Sequence, residues 1–251
     1  MDSDDRNANR NIRLFVFPCM RQTFIALACL LLSLCQVIGQ TAYEYRKGDP
    51  NGIGKWYMGR QIAHVMSHYG IPWLERSDRQ SEEDTEQLIR NLGLKRGMNV
   101  ADIGAGSGYH AVRISKLIGS GKVYAVDIEP EMIRFMEERI AREGLGNIVT
   151  VLGRMESLPL PANSMDRILL VDVYHEFSHP YEMGRSMLEA LKPEGKLYLV
   201  EFRTEDRNVP IKEVHKMSQA QAVKELTSAG FTFERNIGNL PWQHCLVFRK
   251  D

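Results

Sequence analysis

The sequence predicts an α/β protein in three layers (α/β/α), with a mostly parallel seven-stranded sheet between two layers of helices. From residue 99 onward, short apolar runs alternate with segments of helical periodicity, which indicates successive βαβ units and a parallel sheet. The predicted helices are followed by glycines, which commonly end a helix: Gly119, Gly144 and Gly146. The last two predicted strands have no helix between them and must form an antiparallel hairpin.

Residues 1–39 differ from the rest of the chain. Four arginines fall within the first 21 residues, an apolar run covers 24–35, and small residues lead to Gly39. This order is typical of a secretory signal peptide, and the run is shorter than the about 20 residues of a transmembrane helix. We therefore expect an exported protein, periplasmic or secreted. Two alternatives remain open: an uncleaved leader that anchors the chain to a membrane, and a cytoplasmic protein whose start site is misassigned.

Residues 40–96 are predicted to form an N-terminal helical extension that acts as a lid. Apolar side chains near helical spacing predict a helix over 55–69, which ends at Gly70-Ile71-Pro72. Ser81, with Glu83 and Asp84 after it, predicts the start of a second helix that reaches Leu92. The aromatic residues Trp56, Tyr57 and Trp73 could belong to the lid, although such spacing more often reflects simple packing.

Residues 97–251 contain the predicted sheet. The final hairpin makes the last strand antiparallel, which predicts the Rossmann-like arrangement of class I methyltransferases rather than that of dehydrogenases. The predicted strands cover 99–103, 122–127, 148–152, 166–172, 196–202, 231–235 and 244–249. The predicted helices cover 110–118, 131–143 and 181–191, and a further helix is capped by Ser218.

Composition limits the chemistry. The 251 residues suit one α/β domain with additional N-terminal sequence. Zero net charge gives no electrostatic argument for nucleic acid as a partner. Three of the four cysteines lie in the leader and only Cys245 lies beyond it, so the rest of the chain can form neither an internal disulfide nor a cysteine-rich metal site. We expect no metal.

A glycine loop, Asp102-Ile103-Gly104-Ala105-Gly106-Ser107-Gly108, follows the first strand of the predicted sheet. Glycines let the backbone turn tightly and approach a ligand closely. A dinucleotide site usually has the spacing G-x-G-x-x-G, whereas here the third glycine comes one residue early. A carboxylate two residues before the first glycine suits a cationic amino group and would repel a pyrophosphate. The alternative is a glycine turn that binds nothing.

Asp127 ends the next predicted strand, 19 residues after Gly108. A carboxylate about 20 residues after the glycine loop can accept hydrogen bonds from both ribose hydroxyls. This position indicates nucleoside binding without separating S-adenosylmethionine from a nicotinamide cofactor. A capping role for Asp127 is the alternative.

Residues 97–203 resemble a class I S-adenosylmethionine-dependent methyltransferase domain of the small-molecule type. The resemblance rests on the run 99–109, on Val126-Asp127-Ile128-Glu129-Pro130, on Leu158-Pro159-Leu160-Pro161 and on Leu191-Lys192-Pro193-Glu194-Gly195. The flanking segments around residues 73–76 and 209–217 are similar to exported bacterial proteins described only as predicted methyltransferases.

The resemblance implies S-adenosylmethionine as cofactor. It implies that Asp102 and the glycines face the methionine part, that Asp127 holds the ribose, and that Ile128 packs on the adenine. The loop after the third strand departs from the usual pattern, because Arg154 replaces an acidic residue, so adenine would rest on Met155 and Glu156. The full set of expected cofactor-binding residues is Asp102, Gly104, Ala105, Gly106, Gly108, Tyr109, Asp127, Ile128, Met155, Glu156 and Asp172.

The candidate catalytic residues follow the fourth and fifth strands, since ligands of open α/β sheets bind at the carboxyl ends of strands. His175 is the expected general base, with Tyr174 lining the methyl pocket and Glu176 orienting the imidazole. His215, in the loop after the fifth strand, is a second candidate. The alternatives are a helix-start cluster for His175 and a solvated basic loop for His215.

The first functional hypothesis is therefore a methyltransferase that acts on a small molecule, an envelope lipid or a quinone-like compound. The second is a non-catalytic S-adenosylmethionine-binding module of the cell envelope. A nucleotide-dependent oxidoreductase is disfavoured by the glycine spacing and the terminal hairpin. We expect no nucleic-acid partner, and membrane association could arise through the N-terminus.

Overall fold

A computed structural model describes residues 43–250, and its central element is a seven-stranded sheet. The strands lie in the order β6-β5-β4-β7-β8-β10-β9; β4 to β8 run parallel, and β10 is antiparallel to both β8 and β9. The predicted Rossmann-like sheet with a terminal antiparallel hairpin is confirmed. The strands are β4 (Val100–Ile103), β5 (Val123–Asp127), β6 (Ile148–Leu152), β7 (Met165–Val171), β8 (Leu191–Phe202), β9 (Phe231–Asn236) and β10 (Gln243–Lys250).

Alternate side chains of the strands enter two separate cores, as the two-residue period of a strand requires. In β10, Cys245 and Val247 belong to one core, whereas Leu246 and Phe248 belong to the other. The described helices are α1 (Ile71–Leu74), α2 (Arg79–Glu83), α3 (Thr85–Asn91), α4 (Tyr109–Ile118), α5 (Pro130–Glu143), α6 (Pro180–Ala190) and α7 (Gln219–Ser228). The first core contains residues of α3, α4 and α5, and the second contains residues of α6 and α7, which gives the predicted three layers.

The predicted helix over 55–69 is wrong. The chain instead forms a small antiparallel sheet of β1 (Tyr43–Tyr45), β2 (Gly52–Tyr57) and β3 (Arg60–Ala63). Met58 and Gly59 form a two-residue turn with φ of 49° and 96°, and Tyr57 pairs with Arg60 across it. Two consecutive positive φ values define the type of turn that matches the twist of paired strands. The apolar spacing that predicts a helix therefore arises from a strand, a turn and a second strand.

The predicted second helix is confirmed in two pieces, α2 and α3. Asp84 separates them, because its φ of 48° lies in the left-handed region and ends α2. The same residue begins α3, since its side chain accepts a hydrogen bond from the backbone N–H of Gln87. The described part of this extension, residues 43–96, thus consists of strands followed by short helices.

The small sheet is fixed to α7 by buried polar contacts. The Arg60 guanidinium forms an ion pair with Glu225 at 2.7 Å, and the hydroxyls of Tyr57 and Ser228 lie 2.9 Å apart. These contacts hold the following segment, residues 64–84, across the carboxyl ends of the parallel strands. We call residues 64–84 the cover segment.

In the stretch from residue 43 to residue 250, no helix has the length and apolar character needed to cross a membrane. The leader peptide predicted over residues 1–39 lies outside the described residues, and export therefore stays a prediction.

Candidate active site

A large cavity lies at the carboxyl ends of β4, β5 and β7, beneath the cover segment. Its volume is about 670 Å³, and its wall includes Gly104, Gly106, Asp127 and Ile128 on one part and His175, Glu176 and His215 on another. Ligand cavities in proteins commonly measure roughly 300–1,000 Å³. The cavity therefore brings the expected nucleoside-binding residues and the expected catalytic residues into one space.

The glycine loop needs glycine for two reasons. Gly104 and Gly106 have φ of 70° and 55°, in the left-handed region that side chains disfavour. A Cβ at Gly104 would lie 2.3 Å from Val173 Cγ2, and one at Gly106 would lie 2.7 Å from Leu74 Cδ1. The loop therefore packs closely between Val173, which follows β7, and Leu74 of the cover segment.

Asp127 connects the end of β5 to the glycine loop. Its Oδ2 accepts a hydrogen bond from the Gly106 N–H at 2.8 Å, and its Oδ1 accepts one from the Glu129 N–H at 2.9 Å. Burial raises the pKa of this carboxyl, while the two N–H groups lower it. Each oxygen keeps a second lone pair, so a ribose hydroxyl could still donate to it.

Two buried carboxyl oxygens at the site have no hydrogen-bond partner within residues 43–250: Asp102 Oδ2 and Asp172 Oδ1. Burial raises the pKa of Asp102 to about 7, and the nearby Arg79 guanidinium opposes this effect. Buried polar atoms are rarely left unpaired, and of these two residues Asp172 lines the cavity, where a ligand could reach it. A ligand that carries positive charge suits a carboxylate at this position, and S-adenosylmethionine carries both an ammonium and a sulfonium.

The cover segment closes over the glycine loop through side chains that the sequence analysis did not single out. Glu75 accepts hydrogen bonds from Ser107 Oγ at 2.5 Å and from Arg139 Nη1 at 2.7 Å. Arg79 and Glu83 form an ion pair at 2.8 Å, and both line the cavity. Trp73, expected in a lid, also lines the cavity. Nothing in the local sequence indicated that Glu75 would reach the loop.

His175 is held by a carboxylate from β8. Its Nδ1 donates to Glu201 Oε2 at 2.6 Å, and its backbone N–H donates to Glu201 Oε1 at 3.2 Å. Burial disfavours the imidazolium, but the Glu201 carboxylate outweighs burial and raises the pKa of His175. The sequence predicts Glu176 in the orienting role, but the structure gives this role to Glu201. The available signal is an acidic residue directly after the largely apolar run 197–200 of this strand.

His215 and Glu176 complete this cluster. His215 Nδ1 lies 3.2 Å from His175 Nε2, and Glu176 Oε1 lies 3.8 Å from the same nitrogen. The other oxygen of Glu176 accepts a hydrogen bond from the Met66 N–H at 3.2 Å. Burial and the neighbouring His175 lower the pKa of His215 to about 4, and burial raises the pKa of Glu176 to about 7.

The remaining expected site residues have different positions. Tyr174 is fully buried against Phe177 and lies outside the cavity wall, so the methyl-pocket role expected for it has no support. Glu156 is exposed and pairs with His179 at 3.5 Å, away from the wall. Met155, Arg154 and Asp172 line the cavity. The wall does not include Asp102, Ala105, Gly108 or Tyr109.

Three features define the class of the protein as a class I methyltransferase domain. They are the Rossmann-like sheet with its terminal antiparallel hairpin, the glycine loop, and a carboxylate, Asp127, placed to bind a ribose. Residues 94–244, well over half of the chain, match the model of a family described as a methyltransferase domain. The chain belongs to this methyltransferase family, whose cofactor is S-adenosylmethionine.

Solved structures support the same assignment. A SAM-dependent methyltransferase from Aquifex aeolicus is 27% identical with a TM-score of 0.69, and the match covers 73% of this chain and 98% of that protein. The methyltransferase CalH, crystallised with S-adenosylhomocysteine, is 17% identical with a TM-score of 0.52, over 66% of this chain and 54% of CalH. The second likeness shows the fold alone.

Curated relatives match a shorter part of the chain. The ubiquinone/menaquinone biosynthesis C-methyltransferase UbiE of Pseudomonas putida strain GB-1 is 37% identical over 116 residues, which is 45% of either protein. UbiE of Cronobacter sakazakii is 35% identical over 112 residues, which is 44% of this chain and 45% of that protein. This chain therefore matches less than half the length of these relatives.

Proposed function

We propose that the protein transfers the methyl group of S-adenosylmethionine to an apolar small-molecule or lipid-like acceptor that carries an ionisable hydroxyl. The observation that carries this proposal is the shared cavity. Asp127 and Ile128 line one part of it, and the cluster of His175, Glu176 and His215 lines another. A cofactor on the first part and an acceptor on the second would therefore occupy one space.

The lining of the cavity supports an apolar acceptor. Beside polar residues such as Ser178 and Lys212, the wall includes an apolar set that offers no strong hydrogen-bonding side chain except the Trp73 indole N–H: Val65, Met66, Trp73, Phe177 and Ile211. Such a lining favours a molecule with a large apolar body and one polar group. The UbiE relatives are named for quinone biosynthesis, which supports hydroquinones and related phenols as the first class to test.

The His175 cluster supports an acceptor that must lose a proton. When bound, S-adenosylmethionine supplies an electrophilic methyl carbon, and the acceptor atom that attacks it needs an available lone pair or carbanion character. Glu201 keeps the proton of His175 on Nδ1, so Nε2 is the nitrogen that faces the other cluster members. The cluster can therefore favour the deprotonated form of an acceptor hydroxyl placed against it.

Turnover of labelled cofactor tests the proposal. The purified chain is incubated with methyl-labelled S-adenosylmethionine and a panel of hydroquinones, catechols and phenols, with and without an isoprenoid tail. We expect transfer to at least one hydroxylated aromatic compound, and at least a 100-fold loss of kcat in His175→Gln with unchanged cofactor affinity.

Two controls complete the experiment. Asp127→Ala should abolish cofactor binding in calorimetric titration, whereas the exposed Glu86→Gln on α3 should change neither binding nor turnover. Cofactor binding without transfer to any acceptor of the panel would contradict the proposal and favour the non-catalytic binding module.

A further inference from the structure

Three potential metal ligands face one another on the wall of the cavity. We propose that His175 Nε2, His215 Nδ1 and Glu176 Oε1 bind one divalent transition-metal ion, with zinc as the first ion to test. This inference rests on the proposed function, because the ion would hold the acceptor hydroxyl. It also revises the sequence-based expectation of no metal, which considered only the shortage of cysteines.

The distances suit a single ion. The three ligand atoms lie within 4.8 Å of one another, and His175 Nε2 is 3.2 Å from His215 Nδ1. Two zinc–nitrogen bonds of about 2.0–2.1 Å at a tetrahedral angle place their nitrogens about 3.3 Å apart. Glu176 Oε1 lies 3.8 Å from His175 Nε2 and would have to come about 0.5 Å closer to that nitrogen to complete a third bond at tetrahedral spacing.

Two of the proposed ligands, His175 and Glu176, each form a hydrogen bond that leaves one atom available to the ion. Glu201 accepts the Nδ1 proton of His175 at 2.6 Å, which leaves the Nε2 lone pair free for coordination. A carboxylate that accepts the second N–H of a metal-bound histidine is a recurring outer-shell feature of metal sites. The Met66 N–H binds Oε2 of Glu176 at 3.2 Å and leaves Oε1 facing the histidines.

The donor set and burial favour a catalytic type of site. Two imidazoles and one carboxylate are donors that suit zinc and other first-row metals, and three protein ligands leave a coordination position open. His175 and Glu176 are buried and His215 is partly buried, and all three line the cavity. The open position therefore faces the space assigned to the acceptor.

A simple hydrogen-bonded chain from Glu201 through His175 to His215 is the competing interpretation. It accounts for the distance between the two imidazoles, but it gives no role to the buried Glu176 carboxylate beside them. An ion explains the convergence of all three groups, because its positive charge offsets two neighbouring carboxylates in a buried site.

The ion gives the cluster a chemical role. An acceptor hydroxyl bound to the ion would lose its proton to solvent water, because a Lewis acid would stabilise the resulting oxyanion. A lone pair of the acceptor would then form the new bond to the methyl carbon as the carbon–sulfur bond of the cofactor breaks. The cofactor would leave as S-adenosylhomocysteine, and the ion would be unchanged.

Metal binding is tested on the full chain after treatment with a chelator. Calorimetric titration with zinc, and the visible absorption of added cobalt, should show one ion per chain. His215→Ala should weaken zinc binding by at least 100-fold, and Glu201→Gln should weaken it by about 10–100-fold, the effect usual for an outer-shell carboxylate. Thermal unfolding of each variant shows whether it is folded.

The chain offers a matched control. His68, Glu129 and Glu131 form a second group of possible ligands, all partly exposed. His68→Gln should leave zinc stoichiometry and affinity unchanged. Failure to bind zinc stoichiometrically, or equal affinity in His215→Ala and the unsubstituted chain, would overturn the proposed site.

The metal proposal and the function proposal can fail separately. Unchanged turnover after chelation would rule out a role for the metal in catalysis and leave the proposal of methyl transfer intact. Stoichiometric zinc binding in a protein that methylates no acceptor would instead remove the proposed function and leave the site. Cofactor affinity, measured in the same variants, should not change, because Asp127 and the glycine loop are untouched.

Discussion

Asp102 combines burial, a missing hydrogen-bond partner and a perturbed pKa in one side chain. Its Oδ2 has no partner within residues 43–250, and burial raises its pKa to about 7. The groups that face it electrostatically are Arg79, which favours the anion, and Asp127, which disfavours it. A cationic ligand in the cavity, whose wall includes the adjacent Ile103 and Gly104, would therefore bind better when Asp102 is ionised.

Cofactor affinity should accordingly depend on pH. Below pH 7 the Asp102 carboxyl is largely neutral, and above pH 7 it is largely anionic. We expect the affinity for S-adenosylmethionine to rise by about tenfold between pH 5.5 and pH 8, as expected for a group that gains charge over this range. Calorimetric titration of the unsubstituted chain and of Asp102→Asn checks this. A pH dependence that survives in Asp102→Asn would assign it to another group.

The same residue should lower stability at alkaline pH. Its folded-state pKa of about 7 lies above the ordinary aspartate pKa of 3.8. Between these values the unfolded chain loses a proton that the folded chain keeps, so stability falls as pH rises and stays low above pH 7. We expect Asp102→Asn to raise Tm by about 4 °C or more at pH 8 and to have little effect at pH 4. Calorimetric scans at both pH values, without cofactor, measure this difference.

At the level of elements, the hairpin of β2 and β3 supports the active site through Arg60. This guanidinium pairs with Glu225 of α7 at 2.7 Å and donates to the carbonyl oxygen of His175 at 3.0 Å. Both side chains of the pair are almost fully buried. Loss of one partner would leave an unpaired charge in the interior.

Arg60→Ala should therefore destabilise the protein strongly. Removing one partner of a buried ion pair typically costs about 3–5 kcal/mol. We expect a loss of this size in chemical denaturation, with a further loss of turnover because His175 is no longer held. The double variant Arg60→Met/Glu225→Leu should recover most of the stability, since no charge is left buried. Equal destabilisation in the single and double variants would instead point to lost packing.

The strands of the large sheet could be predicted from the sequence, whereas the first sheet could not. Ile148–Leu152 was predicted to the residue, because short apolar runs bounded by turns have few alternative structures. In β2 and β3, a turn at Met58-Gly59 interrupts a run whose apolar spacing also suits a helix. The turn at Met58-Gly59 decides the structure of this segment, although the apolar spacing of the segment predicts a helix.

The candidate site was predictable where it depends on local sequence. The glycine loop and Asp127 follow directly from their spacing along consecutive strands. The contacts of His175 do not, because Glu201 lies 26 residues away and His215 lies 40 residues away along the chain. Only the order of the strands, which places β7 beside β8, brings these side chains together.

At the scale of the whole molecule, the cover segment links the extension to the cofactor side of the sheet. Leu74 packs on Gly106, and Glu75 bridges Ser107 of the glycine loop and Arg139 of α5. Movement of this segment would then widen access to the cofactor part of the cavity. The bridge through Glu75 should slow that motion.

Glu75→Gln should consequently speed cofactor release. The variant loses the charge that strengthens its hydrogen bonds to Ser107 and Arg139. We expect the dissociation rate of S-adenosylmethionine to rise by about tenfold, because most changes of affinity within one complex appear in the dissociation rate. Arg139 also pairs with Glu143 at 3.1 Å, so Glu143→Gln removes a charge from the same arginine without touching the glycine loop. Stopped-flow displacement should show faster release in Glu75→Gln and an unchanged rate in Glu143→Gln.

Hydrogen exchange adds an independent measure, because bound cofactor should protect residues 64–84 in the unsubstituted chain and protect them less in Glu75→Gln. Equal release rates in the two variants would mean that the cover segment does not control access to the cofactor.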